Sequence, residues 1–166
     1  MAVDGKVPGM SLPAAGLVVT HDEAVFGGDS FQSMSSVAVG GPGLVAVGSD
    51  GNPVDGSVAV WTSTDGQVWQ RIAHDEAVFG GEGKQSMRSV TSGGSGLVAV
   101  GDDFSVPLTG AVWTSTDGLS WQRVAHDDVV FGGGQQSMLS VTSGGPGLTA
   151  VGSDKSRDAA AVWTSP

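Results

Sequence analysis

An all-β chain made of repeated four-stranded units is the reading this sequence supports. It rests on an internal repeat, on short β-branched runs, and on the Gly-rich turns between those runs. The repeat is the strongest of the three. Residues 21–73 open with HDEAVFGG and end in TDGQVWQRIA. Residues 74–125 open identically and end in TDGLSWQRVA, and residues 126–166 open with HDDVVFGG and stop at AVWTSP. The period of 52 to 53 residues, counted from His21 to His74 to His126, is slightly longer than those of known propeller repeats. With 166 residues, 39% of them hydrophobic, the chain is long enough for one domain with a real core.

The first repeat divides into elements that recur in the others. Ser33–Val39 is the first strand, and Gly40–Gly43 (GGPG) turns the chain. Leu44–Gly48 (LVAVG) is the second strand, apolar on both faces, as a strand between neighbouring sheets should be. The polar loop Ser49–Gly56 leads to the third strand, Ser57–Ser63 (SVAVWTS). Thr64–Gly66 turns again, and Val68–Ala73 (VWQRIA) is the fourth strand. Short runs of Val, Ile and Trp between Gly, Pro and Asp clusters are strand–turn–strand signals, and no stretch sustains a helical period. Four strands per repeat is the unit of a β-propeller blade.

The third repeat has no fourth strand, and residues 16–20 supply a candidate. Leu17–Thr20 precedes His21 as Gln70–Ala73 precedes His74. Three blades do not close a ring, since propellers use about 4–8. The ends of a half ring lie on opposite sides of its axis, so the N-terminal strand is expected to complete the last blade of a partner. A homodimer would then form a six-bladed ring, and two-fold pairs are the commonest oligomers.

The hairpins Ser63–Trp69 (STDGQVW) and Ser115–Trp121 (STDGLSW) resemble the Asp-box motif of sialidase-type propellers, shortened by one residue between Asp and Gly. The resemblance implies a structural turn built on Ser63, Asp65, Gly66 and Trp69, and on Ser115, Asp117, Gly118 and Trp121. Asp accepts backbone N–H groups, Gly takes a positive φ, and Trp buries a large ring. The resemblance also raises sialidase chemistry. That chemistry uses a Tyr nucleophile and a cluster of three Arg. This chain has no Tyr, and its arginines are Arg71, Arg88, Arg123 and Arg157. Arg71 and Arg123 occupy equivalent positions, where packing over Trp is expected. No enzyme activity is therefore expected; a sialidase-like hydrolase stands as the remote alternative.

The same composition excludes other classes. Zero Cys removes disulfides, thiolate metal sites and a Cys nucleophile. A net charge of −10 disfavours nucleic acid and anionic membrane surfaces as partners. No apolar run approaches the ~18–20 residues of a membrane span. The N-terminal stretch has one Lys and is broken by Pro8 and Pro13, so it does not read as a signal peptide.

Candidate ligand residues come from the repeated H-D-[ED]-x-V-F-G-G segment: His21, Asp22 and Glu23; His74, Asp75 and Glu76; His126, Asp127 and Asp128. In a ring they would line one rim as a multivalent face for a glycan or a protein ligand. The competing reading is a joint between blades, which every repeat would need; Gln32, Gln85 and Gln136 invite the same reading. The loops that differ between repeats, Ser49–Gly56, Asp102–Thr109 and Ser153–Asp158, are where specificity could reside. DGNPVDG (residues 50–56) lacks the DxDxDG register of a calcium loop and reads as an acidic turn. The three GxGxxA matches, at Gly41, Gly94 and Gly145, precede strands rather than a helix and are hairpin turns, not phosphate cradles. The five Trp fall at equivalent positions and read as core. No cofactor or metal is expected. The expected function is a non-catalytic self-assembling binding module, with a purely structural propeller fragment as the alternative.

Overall fold

The computed structural model describes residues 19–27, 30–52, 54–105, 107–131, 135–145 and 147–165. It is all-β, with three antiparallel sheets in chain order. The first contains β1 (Gln32–Gly40), β2 (Gly43–Asp50), β3 (Ser57–Ser63) and β4 (Gln70–Arg71). The second contains β5 (Gln85–Gly93), β6 (Gly96–Asp103), β7 (Thr109–Ser115) and β8 (Gln122–Arg123). The third has three strands, β9 (Gln136–Gly144), β10 (Gly147–Asp154) and β11 (Ala159–Ser165). Of residues 16–20, the first three lie outside the described residues, and Val19 and Thr20 form no strand within the single chain.

Each repeat thus folds as its own meander, because its strands are joined by tight turns in which Gly takes positive φ, as at Gly41 (56°) and Gly94 (57°). Two boundaries differ from the expected ones. β2, β6 and β10 run on to Asp50, Asp103 and Asp154, so Ser49 and Asp50, Asp102 and Asp103, and Ser153 and Asp154 belong to strands rather than variable loops. The fourth strand is only two residues long, because Gln67 and Val68 spend their N–H groups on Asp65 within the hairpin. Ile72 N–H then bonds Val60 O at 2.9 Å, so the pairing continues one step past β4.

The sheets pack face to face. Val45, Val47, Val58 and Val60 of the first sheet meet Met87, Val90, Leu97, Ala99, Ala111 and Trp113 of the second. Val100 of the second meets Met138, Val141 and Ala150 of the third. Alternating side chains on β6 thereby serve two sheet interfaces, and on β2 Val45 and Val47 face the second sheet while Ala46 packs with Trp61 and Val25 of its own repeat, which explains why LVAV is apolar at every position. The first strands β1, β5 and β9 lie side by side, stitched by serine: Ser36 Oγ accepts from Val90 N–H at 3.2 Å, and Ser89 Oγ from Val141 N–H at 3.1 Å.

Each sheet is preceded by one helical turn, which the sequence did not announce: α1 (Glu23–Phe26), α2 (Glu76–Phe79) and α3 (Asp128–Phe131). Among the described residues no helix is long and apolar enough to cross a membrane.

Candidate functional site

The repeated His-Asp-Glu segment folds into these helical turns, and each of its polar residues has a local partner. Asp22, Asp75 and Asp127 cap the turns, accepting from the N–H of Ala24 (2.9 Å), Ala77 (3.0 Å) and Val129 (2.8 Å). His21, His74 and His126 approach Glu23, Glu76 and Asp128 at 3.3, 2.9 and 3.0 Å. Each ring also lies against the Phe that closes its turn, with ring centroids 6.1, 6.3 and 5.7 Å apart. The His74 hydrogen bond holds the Glu76 carboxyl below its ordinary range.

The turn has a structural task. Its backbone carbonyl at Val25, Val78 or Val130 accepts the indole N–H of Trp61 (2.8 Å), Trp113 (2.8 Å) or Trp163 (3.0 Å). A buried Trp needs a partner for that N–H, and the capped turn supplies it. This accounts for the joint-like repetition of the segment.

The two expected hairpins form as their residues suggest. Asp65 accepts from the N–H groups of Val68 and Gln67, at 2.9 and 2.8 Å, and Asp117 from those of Ser120 and Leu119, at 2.7 and 2.8 Å. These backbone bonds hold both carboxyls below the ordinary Asp range. Ser63 and Ser115 accept from Gly66 and Gly118 N–H at 2.8 Å, with those glycines at φ 76° and 74°. The rings of Trp69 and Trp121 fold back to bond the carbonyls of Gly66 and Gly118 at 3.2 Å.

The structure brings together two residue sets that are separate in sequence. A groove of about 870 Å³ runs between α1 and the Gly66–Trp69 hairpin, lined by Thr20, His21, Asp22, Glu23, Phe26 and Trp69 among others. The second sheet repeats it at about 550 Å³, between His74, Asp75, Glu76 and Phe79 on one side and Leu119, Ser120 and Trp121 on the other. Among the described residues the third sheet has no fourth strand. A cavity of about 450 Å³ lies there between Asp128, Gln136, Asp154, Arg157 and Trp163.

The arginines follow the same pattern. Arg71 pairs with Asp50 at 2.5 Å and lies 5.9 Å from the Trp61 ring. Arg123 pairs with Asp103 and lies 5.7 Å from the Trp113 ring. Burial pushes the Asp103 carboxyl up, but Arg123 and Ser105 together hold it below the ordinary range. Arg123 also donates to Gln85 Oε1 at 3.0 Å, whereas Gln32 Oε1 and Gln136 Oε1 are buried without a partner among the described residues. In the third repeat Arg157, from the loop, approaches Asp154 at 3.6 Å instead. Ser156 is the main reason the Asp154 carboxyl also sits low.

Asn52 Oδ1 accepts from Val54 and Asp55 N–H at 2.8 and 3.1 Å, so the DGNPVDG loop is closed by its own Asn. Among the described residues no group of three or more His, Cys, Asp or Glu gathers as a metal site. Comparison with protein-family models, with curated proteins and with solved structures returns no match.

Proposed function

We propose that the chain is a non-catalytic, self-assembling unit: three consecutive blades of a β-propeller whose end faces meet those of a second copy to close a six-bladed ring. The observation that carries this reading is a comparison of equivalent residues. Met87 and Met138 are 0% and 2% exposed against the preceding sheet, while Met34 on the first sheet is 41% exposed. Val90 and Val141 are 5% and 7% exposed, and Val37 58%. At the other end Val47 and Val60 are 0% and 1% exposed beneath the second sheet, while Val151 and Val162 are 44% and 64% exposed.

At its first strand the first sheet therefore presents the face that the second and third sheets bury, while Ala46, Ala59 and Trp61 on that face are covered by Val25 and Trp69 of their own repeat. The third presents the face that the first buries. The two ends are complementary because they are the two halves of a joint formed twice within the chain. The serine stitch fits as well: Ser140 is the counterpart of Ser36 and Ser89, and Val37 N–H the counterpart of the two amides they bond. The open edge of β11 is the place for residues 16–20 of the second copy. A partly apolar strand at the edge of a sheet invites such addition.

Val37→Asp and Val162→Asp each place a charge in one half of the joint. Each variant should lose the closed assembly. Mixed in equal amounts they should still not close the ring, since of its two joints one is then intact and the other carries both charges. A variant that assembles like the parent contradicts the reading.

The repeated grooves favour a carbohydrate as ligand of this unit. Trp69, half-buried in the first groove, offers indole surface beside exposed carboxylates and imidazoles, the apolar-plus-polar lining that small-molecule sites use, whereas Trp121 in the second groove is buried. Titration with neutral oligosaccharides should change tryptophan fluorescence, and His21→Ala with His74→Ala should weaken the response without lowering the melting temperature appreciably. A response unchanged in that double variant would place any ligand elsewhere.

A further inference from the structure

The second sheet carries a charged pair that its neighbours lack. Arg88 on β5 and Asp102 on β6 stand where the first repeat has Ser35 and Ser49 and the third has Leu139 and Ser153. All three sheets form the same bulge at this point. The register skips one residue between Met34 and Ser36, between Met87 and Ser89, and opposite Val151 and Gly152. The fold is thus made twice without the pair.

Placing it there is not free. The Asp102 side chain is 1% exposed, and burying a carboxylate costs desolvation energy that an ion pair only partly returns. Asp102 accepts from Arg88 Nε through one oxygen and from Ser137 Oγ on β9 at 2.7 Å through the other. Both oxygens are therefore committed to holding one guanidinium and one neighbouring strand. Arg88 itself remains 41% exposed and has no partner residue across the ladder, because it is the bulged residue. Bulges characteristically re-aim a side chain. The Nη1 and Nη2 groups of Arg88 make no hydrogen bond among the described residues.

A buried acid that fixes Nε and leaves both terminal nitrogens accessible presents a pre-oriented fork. Such a fork matches an ion with two acceptor oxygens, and its side-chain entropy is already lost before binding. We propose that Arg88 binds a small oxyanion, with Asp102 and Ser137 as positioning residues. The net charge of −10 restricts the ligand to small anions of low charge, a carboxylate or a phosphate group, rather than a polyanion.

The test is a nuclear magnetic resonance titration of the full chain with sodium acetate and, separately, sodium phosphate, at constant ionic strength. The guanidinium resonances of Arg88 should shift and saturate, while those of Arg157, on an exposed loop, should drift linearly. Saturation by acetate alone assigns a carboxylate, and saturation by phosphate alone a phosphate group. The Arg88→Ser, Asp102→Ser double variant copies the first repeat, so it should fold with a nearly unchanged melting temperature and lose the saturating response. Linear drift at Arg88 with both anions overturns the proposal. So does a large fall in the melting temperature of the double variant, which would make the pair a structural ion bridge.

Discussion

Trp113→Ala should cost about 3–5 kcal/mol of folding stability, the range for deleting a buried aromatic side chain. Trp113 is 0% exposed, and its ring packs among Met87, Leu97, Ala99 and Ala111. Its indole N–H is the partner of Val78 O at 2.8 Å, so truncation also leaves that carbonyl of the helical turn unpaired. Arg123 loses the ring it covers. Three effects fall on one residue, which sets it above other core positions. The equivalent Trp163 makes the same bond to Val130 and packs toward the second sheet, but among the described residues no fourth strand lies beside it. Trp163→Ala should therefore cost clearly less in dilute protein, and its cost should grow with concentration as a second copy covers it. Urea unfolding of the two variants at two concentrations checks this. Equal costs in dilute protein would mean that the open end is already covered within the single chain.

Gly101→Ala should be as damaging, for a steric rather than a cavity reason. A Cβ at Gly101 would lie 1.9 Å from Ser86 O and 2.9 Å from Met87 Cα, both backbone atoms that cannot rotate away. The same approach recurs at Gly48 (1.8 Å to Ser33 O) and Gly152 (1.9 Å to Ser137 O). The bulge at each first strand pushes its backbone onto the second strand, and only Gly leaves room. Relief would require β5 to separate from β6 and draw Met87 out of the core. The expected loss is about 3 kcal/mol or more, at the upper end of overpacking costs. Gly144→Ala is the control. A Cβ there meets nothing within 4 Å, so the change should stay within about 0.5 kcal/mol. A Gly101→Ala protein that melts like the control would show that the bulge yields more easily than this geometry implies.

Much of the fold can be read from the sequence, because the repeat presents each strand two or three times. The alternation in SVAVWTS and the GGPG turn suffice to locate β3 and the β1–β2 hairpin. The fourth strand was expected to run from Val68 to Ala73 and is confined to Gln70–Arg71, since a β-propensity reading does not register the amides that Asp65 takes for its own turn. The one-turn helices escaped because four residues cannot display a 3.6-residue period. Their signal was the Asp before EAVF, a capping residue.

The repeat singles out the His-Asp-Glu set in the sequence, but not the residues that stand beside it. Trp69 stands far from His21 in sequence, and only the packing of the hairpin beside α1 places both in one groove. The Arg88–Asp102 pair was hidden for a related reason. Gly101 looked like the end of a strand, so Asp102 read as a loop residue. Its burial depends on the strand running two residues further, and on Ser137 arriving from the next repeat.

The most direct test of self-assembly is the solution mass of residues 1–166, measured by light scattering behind size-exclusion chromatography. The account predicts a single species of twice the 16.5 kDa chain mass. A species at the mass of one chain across the accessible concentration range would contradict it. The exposed faces at Met34 and Val37, and at Val151 and Val162, would then be surfaces that a second copy does not cover.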